Sequence, residues 1–171
     1  MNPIELLRLL HNLIRLGTVH GVDHARARVR VASGELVTDW LPWLSPRAGT
    51  TRDWSPPTVG EQVLVLSPGG DPAAGVVLTG IYSDNNPTPT DDGNLIGRWL
   101  PDGTRLKYDH AAHKLTIECV GDVQVKASGT VNVEAAKIHH NGGKGIVTQD
   151  HICHLTGLPH GDGSSTVTAG K

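Results

Sequence analysis

"LTIECVGDVQVKASGTVNVEA", residues 115–135, cuts every eight residues into LTIECVGD, VQVKASGT and VNVEA, and the three pieces align position for position. The first, third and fifth positions of each octad are apolar, and the fifth is always small. Side chains of a strand alternate between two faces, so these positions share one face. The inward sets are Leu115, Ile117 and Cys119; Val123, Val125 and Ala127; and Val131, Val133 and Ala135. Thr116, Glu118, Gln124, Lys126, Asn132 and Glu134 face outwards, and Gly121 and Gly129 stand where the chain must turn. One strand of about five residues cannot shield its own apolar face, and stacked repeats close a core only against neighbours.

Three arrangements meet that demand differently. A triangular solenoid made by one chain would draw a single coil from these octads, short of the roughly three repeats that stability needs. An antiparallel meander of the octads is the ordinary alternative. It would set Leu115 beside Ala127 and Cys119 beside Val123, so the repeated large-large-small order would serve no purpose. Three copies wound about a common axis use that order: each octad forms one side of a three-sided prism, large side chains fill the axis, and the small one relieves crowding near the corner. Every backbone edge then pairs with another chain. The expectation is an intertwined trimeric β-helix, a needle built by a homotrimer.

Outward from the octads, composition agrees with one modest globular domain plus something else: 171 residues hold 21 Gly and 11 Pro but no Phe and only two Tyr. The formal charge is −2 with no sustained basic block, which argues against nucleic acid as a partner. No stretch approaches the roughly 20 apolar residues of a membrane span, and the amphipathic start is unlike a secretory signal, so synthesis in the bacterial cytoplasm is expected. Leu6, Leu7, Leu9, Leu10, Leu13 and Ile14 fall on helical spacing behind Pro3, predicting a helix from Ile4 to Arg15 that docks on its own domain or a neighbouring copy. From Gly17 the period becomes two. Ala25, Ala27, Val29 and Val31 alternate with Arg26, Arg28 and Arg30 in a half-buried strand, its arginines solvated. Further strands are expected at Glu35–Leu41, Gln62–Leu66 and Gly75–Tyr82. About five short strands with Gly/Pro-rich loops suggest an oligonucleotide/oligosaccharide-binding (OB) barrel, in which Trp40, Trp43 and Trp54 serve as core or contact residues. "SDNNPTPTDDGN", residues 83–94, reads as a linker, and two strands follow around Pro101-Asp102-Gly103, with Trp99, Leu100 and Leu106 as apolar members.

The chain therefore reads as mainly β, in four parts: an N-terminal helix (1–16), an OB-fold barrel (17–85), a linker and trimeric β-helix shaft (86–147), and an apex (148–171). This order, with "DWLPWLSPRAGTTRDWSPPTVGEQVLVLSPGGDPAAGVVLTGIYSDNNP" (39–87) as its most specific part, resembles the family of phage baseplate assembly protein V, the central spike of contractile tails. The spikes of R-type pyocins are similar, and the octads alone recur in type VI secretion tip proteins. The resemblance implies a homotrimer that plugs the tail tube at its barrel end, contacts tail-tube hub and baseplate proteins, and transiently crosses the target's outer membrane. It implies assembly into a phage tail or pyocin particle, released from the cell. No lysozyme-like insert interrupts the chain, so the expected spike is not an enzyme.

The last stretch, "TQDHICHLTGLPHGDGSSTVTAGK" (148–171), concentrates His151, Cys153, His154 and His160. On a threefold axis two imidazoles per chain give six nitrogens around one point, a sphere that suits octahedral iron(II) or nickel better than tetrahedral zinc. A shared ion would tie three chains together where the core is thinnest. The resemblance implies this arrangement, commonly with iron and a His-x-His pair. This chain has no His-x-His, so the pair is drawn from His151, His154 and His160 in that order of preference, with one metal ion per trimer, iron(II). Surface histidines near a Gly-rich turn are the alternative. Cys153 reads as a small buried residue, His139 and His140 as a turn, and Val167 and Ala169 as a final strand. His160, Asp162 and Ser164 could be drawn as a hydrolytic set, but nothing places them around a pocket. The remaining alternative function is an OB-fold module for nucleic acid or glycan, oligomerised by a β-helical tail.

Overall fold

The computed structural model describes residues 2–139 and 152–159. Asn2 caps the first helix: its side-chain oxygen accepts from the Ile4 N–H at 3.1 Å, and Pro3, with no N–H to satisfy, occupies the first turn. Helix α1 (Pro3–Leu13) stops before the expected Arg15 because Ile14 is already extended (φ −138°, ψ 121°), and β1 (Ile14–Asp23) starts without a loop. Arg15 fastens this junction, donating to the Asn12 side chain at 2.9 Å and to the Ser33 hydroxyl and carbonyl at 3.4 Å. The Ser33 hydroxyl in turn donates to the Leu16 carbonyl at 2.7 Å.

Strands β2 (Arg28–Ser33), β3 (Leu36–Val37), β4 (Gln62–Leu66) and β5 (Val76–Ile81) join β1 in an antiparallel sheet of order β3-β2-β1-β4-β5. The expected strand through Ala25 and Ala27 begins only at Arg28. The Asp23 carboxylate accepts from the Arg26 N–H at 3.0 Å and from its Nε at 2.6 Å, and Ala27 takes φ 51°, so residues 24–27 form a turn. The strand expected over Glu35–Leu41 is likewise interrupted. The Thr38 hydroxyl accepts from the Val31 N–H (3.0 Å) and donates to the Asp39 carbonyl (2.8 Å), replacing a ladder bond with a side chain.

After that interruption the chain closes the sheet into a barrel. Leu41 exchanges both backbone bonds with Val29 of β2 at 2.8 Å, and Pro42 and Leu44 bond Val77 of β5 at 2.9 and 2.8 Å. Both outer edges are thereby covered. The core is aliphatic: Val19, Val29, Val31, Leu41, Val63, Val65 and Val77 are buried, with Val22 and Trp43 packed against them. Gly17 lies where β1 crosses β2, and a Cβ there would stand 2.4 Å from Val31 Cγ1 and 2.7 Å from the Ala32 carbonyl oxygen.

The linker expected at 83–94 is tied back to the barrel, since the Asn86 side-chain amide donates to the Gly60 carbonyl at 3.1 Å. A second antiparallel sheet follows, β6 (Leu95–Trp99), β7 (Arg105–Asp109) and β8 (Lys114–Glu118), in that spatial order. The expected pair of strands around Pro-Asp-Gly is β6 and β7. The Asp102 carboxylate accepts from the Thr104 N–H and hydroxyl at 2.9 Å each, and Gly103 takes φ 92°.

The chain separates into two compact units, Met1–Val120 and Gly121–Lys171. In the second, residues 121–139 carry no strand among the described residues. Ile152 and Pro159 bridge across a turn in which the Cys153 N–H donates to the Leu158 carbonyl at 2.9 Å and Gly157 takes φ 68°. His140, His151, His160, Asp162, Ser164, Val167 and Ala169 lie outside the described residues.

Candidate functional site

Cross-strand register sorts the β6–β8 sheet into two unlike faces. Leu95, Gly97 and Trp99 share one face with Arg105, Lys107, Asp109, Lys114, Thr116 and Glu118. This face is polar and the more covered of the two, with Leu95, Trp99, Lys107, Asp109 and Thr116 half-buried, and on it Glu118 pairs with Arg105 and, at 3.8 Å, with Lys107. The opposite face carries Ile96, Tyr108 and Leu115 in one row and Arg98, Leu106 and Ile117 in the next. Its five apolar members are all exposed in the single chain. A sheet normally lays such a face on a core.

The octads continue the same condition. Leu115 is 68% exposed, Val125 76% and Val133 68%, and Val123, Val131, Ile117 and Cys119 are exposed as well. Ala127 and Ala135 complete the repeat and are also exposed. The first octad is a strand because β7 lies beside it. The second and third carry no strand among the described residues.

Among the apex ligand candidates, His154 is described. It lies exposed on the turn closed by Ile152 and Pro159, next to exposed Leu155. His151 and His160 are outside the described residues, and no cluster of three His, Cys, Asp or Glu side chains occurs among the described ones. No described helix is long and apolar enough to cross a membrane.

The tryptophans are structural or surface-forming. Trp40 lies half-buried under two guanidinium groups, 5.5 Å from that of Arg26 and 6.0 Å from that of Arg30. The expected solvated arginines are thus partly engaged, and the Arg30 Nε also donates to the Thr38 carbonyl at 3.0 Å. Trp43 touches the core and tilts against the exposed Trp54, ring centres 5.7 Å apart.

Sequence reasoning missed Ile96 and Tyr108, which complete the apolar face beside Leu115. The signal was the period-two pattern of LIGRW against RLKYD, legible once those strands are paired. It also passed over the outer face of the barrel, where QVLVL and VVLTGI are apolar without the alternation of a half-solvated strand.

Two comparisons with known proteins bear on this arrangement. Residues 15–82, the barrel, match the family model of the type VI secretion system/phage-baseplate injector OB domain. The spike protein of Escherichia phage P2 is 42% identical to this chain over 130 residues, covering 76% of this chain. The chain spans 62% of the length of that curated relative. The barrel, residues 15–82, is thus similar to the injector OB domain of type VI secretion systems and phage baseplates, and the chain is similar over about three quarters of its length to a phage spike protein.

Proposed function

We propose that this chain is the subunit of a homotrimeric, non-enzymatic spike at the tip of a contractile phage-like tail, closing the tail tube and puncturing the target's outer membrane. The observation that carries the reading is the run of exposed apolar positions from Leu115 to Val133 in the sequence, whose first members, Leu115 and Ile117, lie on the apolar face of β6–β8. Burial of apolar surface is worth about 25 cal/mol per Å², so a stripe of this length is a strong drive to associate. Three copies about one axis bury it completely and pair the strand edges that a monomer leaves open. A shaft built that way resists bending because its ladders run between chains, and its outward Thr116, Lys126 and Asn132 keep the lipid-contacting side polar.

At the apex, two of His151, His154 and His160 from each chain would hold one iron(II), a clamp where too little side-chain volume remains to make a core. The barrel end, with the exposed Trp54 beside Trp43, is the surface offered to the tube-capping hub. Support for the tail assignment comes from the injector-domain match and the phage spike relative.

Native mass spectrometry of the purified chain tests the reading. The expected species is three times the 18.1 kDa of one chain, persisting on dilution. A folded species of 18.1 kDa, with the stripe exposed to water, overturns it.

A further inference from the structure

We infer that the hollow between the end of β5 and the end of β6 is a saccharide site, which seats an uncharged sugar ring against Tyr82 and Trp99. The inference goes beyond the proposed spike, and the site is complete within one chain.

Its rim is fixed by bonds within the chain. The Glu61 N–H donates to the Thr58 carbonyl at 3.1 Å and the Thr58 N–H to the Glu61 carboxylate at 3.0 Å, closing one turn. Ser83 and Asn86 exchange backbone bonds at 3.1 and 3.0 Å, closing a second. The Asn86 side-chain amide holds the second turn to the Gly60 carbonyl of the first, and the Gly60 N–H holds both to the Val19 carbonyl of β1 at 2.9 Å. A rim set in advance loses little freedom when a ligand arrives.

Two aromatic rings reach this rim from different elements. Tyr82 directly follows β5 and is 68% exposed. Trp99 closes β6 half-buried, and Gly97 on the same face makes room for it, since a Cβ there would stand 3.1 Å from the indole Cη2. With Thr58, Glu61, Asn86 and Pro87 they wall a hollow of about 440 Å³, inside the roughly 300–1,000 Å³ of small-molecule sites. A second hollow, of about 470 Å³, shares Tyr82 and adds Thr18, Gln62, Ser83 and Asp84. One ring shared by two hollows suits a chain of sugars. Among the described residues β2 and β3 contribute to neither hollow, so this is not the strand face by which OB barrels take their ligands.

The polar groups choose the ligand. Asn86 spends its amide N–H on Gly60 and keeps its carbonyl oxygen; Glu61 gives one oxygen to Thr58 and keeps the other. The lining thus accepts more hydrogen bonds than it donates. Among the described residues no Lys, Arg or His lines either hollow, so phosphate, carboxylate and nucleic acid find no counter-charge. A sugar ring has hydroxyls to donate and a C–H face to lay on an aromatic ring. A cation also answers the acceptors, but Glu61 and Asp84 stand in different hollows, so no pair of carboxylates converges on it.

Saturation-transfer NMR on the full chain tests this, with maltotriose and triacetylchitotriose as neutral probes and spermidine and inorganic phosphate as charged ones. Saturation is expected to reach the ring protons of a neutral trisaccharide, with affinity about tenfold lower in Tyr82→Ala and retained in Tyr82→Phe. Trp54→Ala, which removes an exposed ring outside the site, should bind as the parent does. Carbene footprinting of the unaltered chain with and without the sugar should show protection at Tyr82 and Trp99 and none at Trp54, so the answer does not depend on a variant that folds. Absence of transfer to both sugars overturns the inference, as does transfer to spermidine or phosphate alone, binding that survives Tyr82→Ala, or protection away from Tyr82 and Trp99. Sugar binding at these rings by a chain that native mass spectrometry shows to be monomeric upholds the site and sinks the proposed trimer.

Discussion

Leu41 and Leu115 are the same side chain in opposite surroundings. Leu41 is 1% exposed, locked between β2 and β5 where it closes the barrel; Leu115 is 68% exposed on a paired strand with no layer above it. The barrel solves its burial problem within one chain, because its strands are joined by loops long enough to reverse and close. The octads repeat one strand with two or three residues between copies, too few to bring a second layer over the first. One region buries its apolar face within the chain, and the other leaves it exposed.

The largest effect that would break this comparison is charge on the stripe. If the proposed trimer holds, Val125→Glu with Val133→Glu is expected to convert it wholly to monomer, while circular dichroism of the barrel strands and its melting are little changed. A buried unpaired carboxylate costs several kcal/mol in each of three chains, whereas the same carboxylate in the monomer is solvated. Retention of the trimer would show that these valines face water in the assembly too.

Truncating the two leucines comes next. Leu41→Ala should cost about 2–5 kcal/mol, the range for opening a cavity in a packed core, and the loss should not depend on protein concentration. Leu115→Ala should lower the melting temperature by an amount that grows on dilution, because its cavity exists only in the assembly. Thermal melts over a hundredfold concentration range separate the two. Equal behaviour would mean that Leu115 is covered within its own chain.

Smaller again is the apex. On the proposed iron clamp, His151→Ala with His154→Ala is expected to reduce the metal content by elemental analysis and to loosen the tip to proteolysis, leaving the proposed trimer and the barrel intact. Unchanged iron would move the ligand assignment away from these two positions.

How much of this was legible in the sequence depends on how local the cause is. Gln62–Leu66 was read to the residue, since a short apolar run between turn signals is a local pattern. The Ala25–Ala27 turn was read as strand because the decisive contact, the Asp23 carboxylate on Arg26, mimics no pattern of hydrophobicity. Glu35–Leu41 failed for a similar reason: the Thr38 hydroxyl replaces a ladder bond. The period of the octads was legible because it repeats every eight residues, and their apolar positions are exposed. The polar docking of α1, whose buried residue is Asn12, was not, because a leucine stripe reads identically whichever way it faces. At the apex the histidines were legible as ligand types, but spacing without a His-x-His pair does not choose among His151, His154 and His160.

The smallest effect provides the control for the others. Asp102 is held below the ordinary carboxylate value, first by the Thr104 N–H and then by the Thr104 hydroxyl. A depressed folded value means that the turn contributes stability fully above the unfolded value near 3.8 and loses it as pH falls through the folded one. Asp23, lowered by its bonds from Arg26, and Glu5, lowered by Arg8, respond in the same direction, so the whole protein weakens in acid and the Asp102 share is isolated by difference. Asp102→Asn keeps an acceptor for Thr104 but removes the charge, and should flatten the melting temperature slightly between pH 5 and pH 2. Because the turn is satisfied within one chain, that change should be the same at every protein concentration. A dependence on dilution would place the β6–β7 turn in contact with a neighbouring copy and extend the intermolecular region to the first residues of the second sheet.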